Sequence, residues 1–194
     1  MVDIIESNYH EEVEFKNLDY SKQKLVGVKF ELCTFVNCDF SNCDMADSTF
    51  VECTFVNCNL SLANVTKTAF NEIHFTKCKL LGIDFSKCRE FLLAFSFSDC
   101  ILSSCSFANL KIGGTRFEKC IMHDAQFVNT ELIGCSFDDC DLKDAFFDHS
   151  TLSKADFRNA NNLAIDPEIN RMKGAIFSRI ALEGLLMKYG LDIR

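Results

Sequence analysis

FVNCDFSNCDM occupies residues 35–45, and FVECTFVNCNL follows at residues 50–60. Within each stretch two cysteines stand five residues apart, each followed two positions later by Phe, Leu or Met. Helices repeat about every 3.6 residues and strands every two, so a period of five is neither. Taking the larger residue of each five as its centre, the centres fall on every multiple of five from Phe15 to Phe85. The phase then slips by two and resumes at Phe97, continuing through Phe157. Sixteen of the 20 Phe lie at centres, and all 12 Cys keep the phase two positions before a centre (Cys88 at the slip, the other 11 before a named centre), a slot otherwise filled mostly by Ala, Ser and Thr. Self-similarity at a fixed period marks a repeat architecture.

The pattern resembles the pentapeptide repeat family, whose unit is a small residue, a polar residue, Leu or Phe, and two variable residues. CDFSN, CNLSL, CDLKD and ADFRN are good copies, and the resemblance covers roughly residues 13–161. It implies an all-β solenoid, a right-handed quadrilateral β-helix with one five per side and four per coil. Residue i should then stack on residue i+20. Phe15, Phe35, Phe55, Phe75, Phe97, Phe117, Phe137 and Phe157 form one such column, and Cys38, Cys58, Cys78, Cys100, Cys120 and Cys140 another. The sides make about seven coils, a rod roughly 35 Å long at ~4.8 Å per coil. Cysteine serves here as a small, polarizable apolar filler. Its C-x4-C spacing without histidine is unlike a metal site, so no metal and no cofactor are expected.

Three regions are expected: a lead-in over 1–12, the β-helix over 13–162, and a cap over 163–194. The slip at 88–96 predicts a local bulge too short to project as a loop, with Leu92 as its centre and Phe95 in the small slot. Asp166 before Pro167 predicts an N-cap and a helical turn closing near Gly174, and GAIFS a last side centred on Phe177. Ser178 is placed to cap a helix over 179–189 that stops at Gly190. Its apolar residues exceed what one cap needs, which predicts a homodimer interface through Ile180, Ala181, Leu182, Leu185, Leu186, Tyr189 and Leu191.

No catalytic constellation is visible. His10, His74, His123 and His149 are far apart in coil position and read as surface residues. Gly113-Gly114 stands alone, not within a phosphate-binding loop. No apolar run is long enough to span a membrane, and the acidic start lacks a signal-peptide pattern. Twelve Cys without an export signal point to a reducing cytoplasm. The net charge of −8 argues against direct nucleic-acid binding, and no small-molecule substrate is expected.

The charge is uneven. Asp124, Glu131, Asp138, Asp139, Asp141, Asp144, Asp148 and Asp156 face only Lys143 and Lys154 between residues 120 and 156. A negative rod of near-duplex width can occupy a protein's basic DNA groove. The ending DPEINRMKGAIFS…LEGLLMKYGLDI, with FELCTFVNCDFSNC near the start, resembles the Qnr-type quinolone-resistance subgroup and its chromosomal relatives. That resemblance implies a non-enzymatic, dimeric DNA mimic that binds DNA gyrase or topoisomerase IV and modulates it or protects it from quinolones. The alternative is a general protein-interaction scaffold with another partner and no topoisomerase activity. Stacked exposed pairs such as Val36 with Val56, or Ile101 with Ile121, would then be the contact strips.

Overall fold

The computed structural model describes residues 7–192. The chain winds as a β-solenoid of about seven coils, every strand pairing in parallel with strands of adjacent coils. Thirteen short strands are regular enough to name: β1 (Tyr9–Glu11), β2 (Glu14–Lys16), β3 (Lys29–Glu31), β4 (Thr34–Val36), β5 (Thr49–Val51), β6 (Thr54–Val56), β7 (Ala69–Asn71), β8 (Ile73–Thr76), β9 (Phe95–Ser98), β10 (Arg116–Glu118), β11 (Gln126–Val128), β12 (Ser136–Asp138) and β13 (Phe146–Asp148). Face one is the sheet β2-β4-β6-β8-β9-β10-β12, and face four begins as β1-β3-β5-β7. Face three carries β11-β13 near its end, and face two is held by single bridges running Asp19–Asp39–Asn59–Lys79–Ile101–Ile121–Asp141–Asn161.

The period of five follows from the corners. Most sides end on a residue with φ between about 50° and 77°, two positions after the centre, as at Asn37, Asn57, Asp139 and Gly114. That left-handed residue turns the chain through the corner, which is why Asn, Asp and Gly are common there. Backbone N–H groups donate to carbonyls in the coils above and below, as Phe40 does to Asn59 (2.6 Å) and Asp39 to Leu18 (2.8 Å). Face backbone groups are thereby satisfied coil to coil.

The two expected columns are present. Phe rings of face one stack at 4.6–5.3 Å between centroids from Phe15 to Phe157, and Phe177 extends the column as a ninth ring at 5.3 Å. Each buried ring contributes roughly 1.5–3 kcal/mol by transfer, and each ring pair about 0.5–1.5 kcal/mol more. Successive thiols of the cysteine column lie one above another: the Cys38 N–H points at Cys58 Sγ (3.4 Å) and that of Cys58 at Cys78 Sγ (3.4 Å). The thiols from Cys38 to Cys120 also donate to a carbonyl of the coil before, Cys58 to Phe35 O at 3.4 Å and Cys78 to Phe55 O at 3.3 Å. On face four the same slot holds hydroxyls, Thr68 donating to Met45 O (2.8 Å) and Ser150 to Phe127 O (2.8 Å).

Five expectations are corrected. The solenoid starts at Tyr9 rather than residue 13, because β1 pairs in register with β3; residues 1–6 of the lead-in lie outside the described residues. His10 is buried rather than on the surface, and its ring stacks on Phe30 at 5.3 Å, topping face four. At the slip, Leu92 does not take the centre. It sits in a left-handed turn and is 59% exposed beside Phe91 at 81%. Phe95, in the small slot, fills the space instead, packing against Phe85 (5.2 Å) and Phe70 (5.6 Å). A Phe ring reaches from that slot into the volume a Leu at the bulge would have filled, so the two extra residues are extruded. At the C-terminus the helix is shorter than 179–189: α1 spans Glu183–Leu186 and continues as a single 3-10 turn over Met187–Tyr189. Residues 179–182 are turns whose first bond, Ala181 N–H to Ser178 Oγ (3.2 Å), is the expected cap. After Pro167 there is a turn and no helix, anchored by Glu168 N–H donating to Asp166 Oδ1 at 2.9 Å.

Candidate interaction surface

The square coil sorts the acidic residues by face. Asp138, Asp139 and Asp156 project from face one, and Asp124, Asp141 and Asp144 from the adjoining face two. Glu131 lies on face four, bridged to Lys111 at 3.7 Å, and Asp148 on face three beside His149 at 2.8 Å. Six of the eight therefore lie on two adjoining faces, with Asp139 at the corner between them and Asp124 and Asp144 at the far edge of face two, and two face elsewhere.

Within this set the carboxylates differ in freedom. Arg158 chelates Asp156, with Nη2 at 2.6 Å, and holds its carboxyl below the usual range. Asp141 accepts from Asn162 (2.7 Å) and lies 2.8 Å from His123 Nε2. Burial works to raise the Asp141 carboxyl, but those partners and the Lys143 N–H outweigh it and hold it low. Asp138 accepts from Asn159 Nδ2 at 2.7 Å. Asp124, Asp139 and Asp144 occupy left-handed corners and have no side-chain partner among the described residues. The two faces thus present fixed carboxylates on strands and free ones at turns, spaced by the coil rise of ~4.8 Å.

The cap end is apolar. Ala181 is buried and Leu185 half-buried against the last coil, where they close the core. Ile180 (83% exposed), Leu182, Leu186, Tyr189 and Leu191 remain in solvent, joined by Met187 and by Ile169 and Phe146, which lie outside the helix pattern. Lys188 pins the cap by reaching Asp166 (2.6 Å) and Glu168 (2.8 Å), while Tyr189 donates to Glu168 at 2.9 Å. Lys188, the largest influence on both carboxyls, holds Asp166 and Glu168 below the usual range.

The remaining histidines do not converge on a reactive group. His74 Nδ1 lies 2.6 Å from Ser96 Oγ on open sheet, and no third residue among those described completes a relay. No group of three or more His, Cys, Asp or Glu among the described residues suits a metal ion. Among the same residues, no helix is long and apolar enough to cross a membrane.

A model of the pentapeptide repeat region matches residues 28–90 and 91–163, most of the chain. The chain belongs to the pentapeptide repeat family. No curated protein matches it. Among solved structures, this pentapeptide repeat protein is similar to a trypsin-treated variant of QnrB1, a plasmid-mediated fluoroquinolone resistance protein. The TM-score is 0.64 at 16% identity, covering 96% of this chain and 100% of that one. A second trypsin-treated variant of QnrB1 gives 0.62 at 18% identity, covering 96% and 91%. HetL, a pentapeptide repeat protein involved in heterocyst differentiation regulation from the cyanobacterium Nostoc sp. strain PCC 7120, gives 0.56 at 15%, covering 88% and 86%. At these identities the likeness is one of fold.

Proposed function

We propose that this pentapeptide repeat protein is a non-enzymatic binding rod that occupies the DNA-binding groove of a type II topoisomerase, gyrase or topoisomerase IV, as a partial DNA mimic. The observation that carries the reading is the set of six carboxylates on the adjoining faces one and two, three of them without partners among the described residues, on a rod whose fold is that of QnrB1. A basic groove attracts such a set at long range, and the regular coil rise sets its carboxylates in ordered rows. Its charge density is well below the one charge per ~1.7 Å of duplex DNA, so the mimicry is partial. QnrB1 is a fluoroquinolone resistance protein, and we extend to this chain the role of modulating the enzyme or shielding it from quinolones. The exposed cap residues Ile180, Leu182, Leu186, Tyr189 and Leu191 serve a symmetric dimer, with the acidic faces of both copies in line.

A supercoiling assay with purified protein and gyrase, with and without a quinolone, tests this. The expected result is dose-dependent inhibition or rescue, weakened at least about tenfold when Asp138, Asp139, Asp141 and Asp144 all become Asn. No effect of the wild-type protein at large molar excess overturns it. The scaffold reading rests on one observation of its own, the apolar stacking of Ile101 on Ile121 in an outward slot.

A further inference from the structure

The middle of face one holds an open cavity of about 490 Å3, lined by His74, Ser96, Ser98, Arg116 and Glu118. A step in side-chain length makes it. Ser96 and Ser98 on β9 are short and half-buried, while His74 on β8 and Arg116 and Glu118 on β10 are longer and exposed. In register, His74, Ser96 and Arg116 form one column along the rod, a row of hydrogen-bond donors. Glu118 and Asp138 share the next column over, two residues along each strand. His74 Nδ1 lies 2.6 Å from Ser96 Oγ. With its proton on Nδ1, the imidazole donates to Ser96, and the serine O–H is left to donate outward. The charges of β10 are also unusual. On β2 and β3, which likewise carry opposite charges on either side of a central Phe, the charges close on each other, Glu14 with Lys16 (2.8 Å) and Lys29 with Glu31 (2.8 Å). On β10 they stay apart. Glu118 turns one oxygen to Lys119 (3.4 Å), and Arg116 has no hydrogen-bond or ion partner among the described residues. One wall of the cavity therefore carries an open guanidinium at one end and a carboxylate at the other.

We infer that this cavity binds a small zwitterion, an α-amino acid, with its carboxylate on Arg116 and the Ser96 hydroxyl and its ammonium on Glu118. A guanidinium takes a carboxylate through two parallel N–H···O bonds, and a hydroxyl donor beside it fixes the orientation. A plain anion does not suit the place. It would approach a rod of net charge −8 and lie beside Glu118 and, one coil on, Asp138. A ligand without net charge escapes that repulsion, and its ammonium makes a partner of Glu118. Residues 116 and 118 stand ~6.6 Å apart along the strand, so one small molecule reaches both. The volume falls within the roughly 300–1,000 Å3 of small-ligand sites. Gly114 borders the cavity, and a Cβ built on it would meet nothing within 4 Å. That corner leaves room for the side chain of the amino acid. The inference goes beyond the topoisomerase reading and does not depend on it.

Isotope-labelled protein is titrated with the common α-amino acids one at a time, and with acetate and methylamine as the two halves of the ligand, while amide shifts are followed. The expected result is that at least one amino acid gives saturable shifts on β9 and β10 and binds at least about tenfold more tightly than either half. Arg116→Gln and Glu118→Gln should each weaken that amino acid at least about tenfold, and Glu118→Gln should leave acetate bound no more weakly. Both side chains face outward, and melting curves confirm that the variants are folded. Shifts from no amino acid overturn the proposal. So does acetate binding as tightly as the best amino acid, which marks a plain anion site, or undiminished binding by the Arg116→Gln protein. The titration contains no topoisomerase, so this inference and the topoisomerase reading fail separately.

Discussion

Phe117 is fully buried, with rings stacked on both sides of it at 5.3 and 5.0 Å. Phe117→Ala removes those contacts in mid-rod, where neighbouring coils cannot collapse onto the cavity. It should cost about 3–5 kcal/mol, read as a lower urea midpoint. Buried thiols give a second prediction at this scale. Burial pushes Cys43, Cys105 and Cys135 up to about 12 from an ordinary value of 9.0. The folded state then keeps protons that the unfolded state releases, so their contribution is intact below about pH 9 and is lost between 9 and 12. Urea midpoints should fall over that window, and alanine at these three positions should lessen the fall. Sequence made most inward residues legible, because phase alone assigns a residue to the core or to solvent. His10 was misread because it holds an inward slot with a residue type the repeat does not favour there, and Leu92 because Phe95, in the small slot as expected, fills the space with its ring.

At the scale of elements, the corners and the cap carry the specificity. Asn17, Asn37 and Asn57 stack as a side-chain ladder, Asn37 donating to Asn17 (3.2 Å) and Asn57 to Asn37 (2.8 Å), each with φ near 55°. Asn57→Val places a β-branched residue in that left-handed corner and breaks a rung. The expected cost is about 1–3 kcal/mol, against near neutrality for Asn57→Gly, both measured by denaturant titration. In α1, Gly184 lies so close to the last coil that a Cβ would meet Leu163 O at 2.0 Å, and its carbonyl accepts from Ile165 N–H (3.2 Å). Gly184→Ala should therefore lift the cap, seen as faster amide exchange at residues 163–165 with the central coils unchanged. The cap's existence, its Ser178 bond and its stop at left-handed Gly190 were legible from capping chemistry. Its length was not. Helical spacing continues from 179 to 189, but contact with the last coil leaves only four residues in α geometry.

At the scale of the whole molecule, winding decides which charges act together. Eight acids in one stretch of sequence become six on two adjoining faces, with Glu131 and Asp148 turned to the other two. Restoring the four-sided winding in the reading would have separated them; counting charge along the chain could not. The proposed dimer belongs to this scale too. Ile180→Glu with Leu186→Glu should leave the coils intact and convert the dimer to monomer by sedimentation, because both side chains face solvent at the cap.

The most direct measurement of the account is competition for the topoisomerase. Labelled duplex DNA is pre-bound to the enzyme without nucleotide, and the protein is titrated in while free and bound duplex are followed. The account predicts mutual exclusion: the duplex is displaced as the protein binds, and displacement fails when Asp138, Asp139, Asp141 and Asp144 are all Asn. A stable ternary complex, with duplex and protein on the enzyme together, would contradict it.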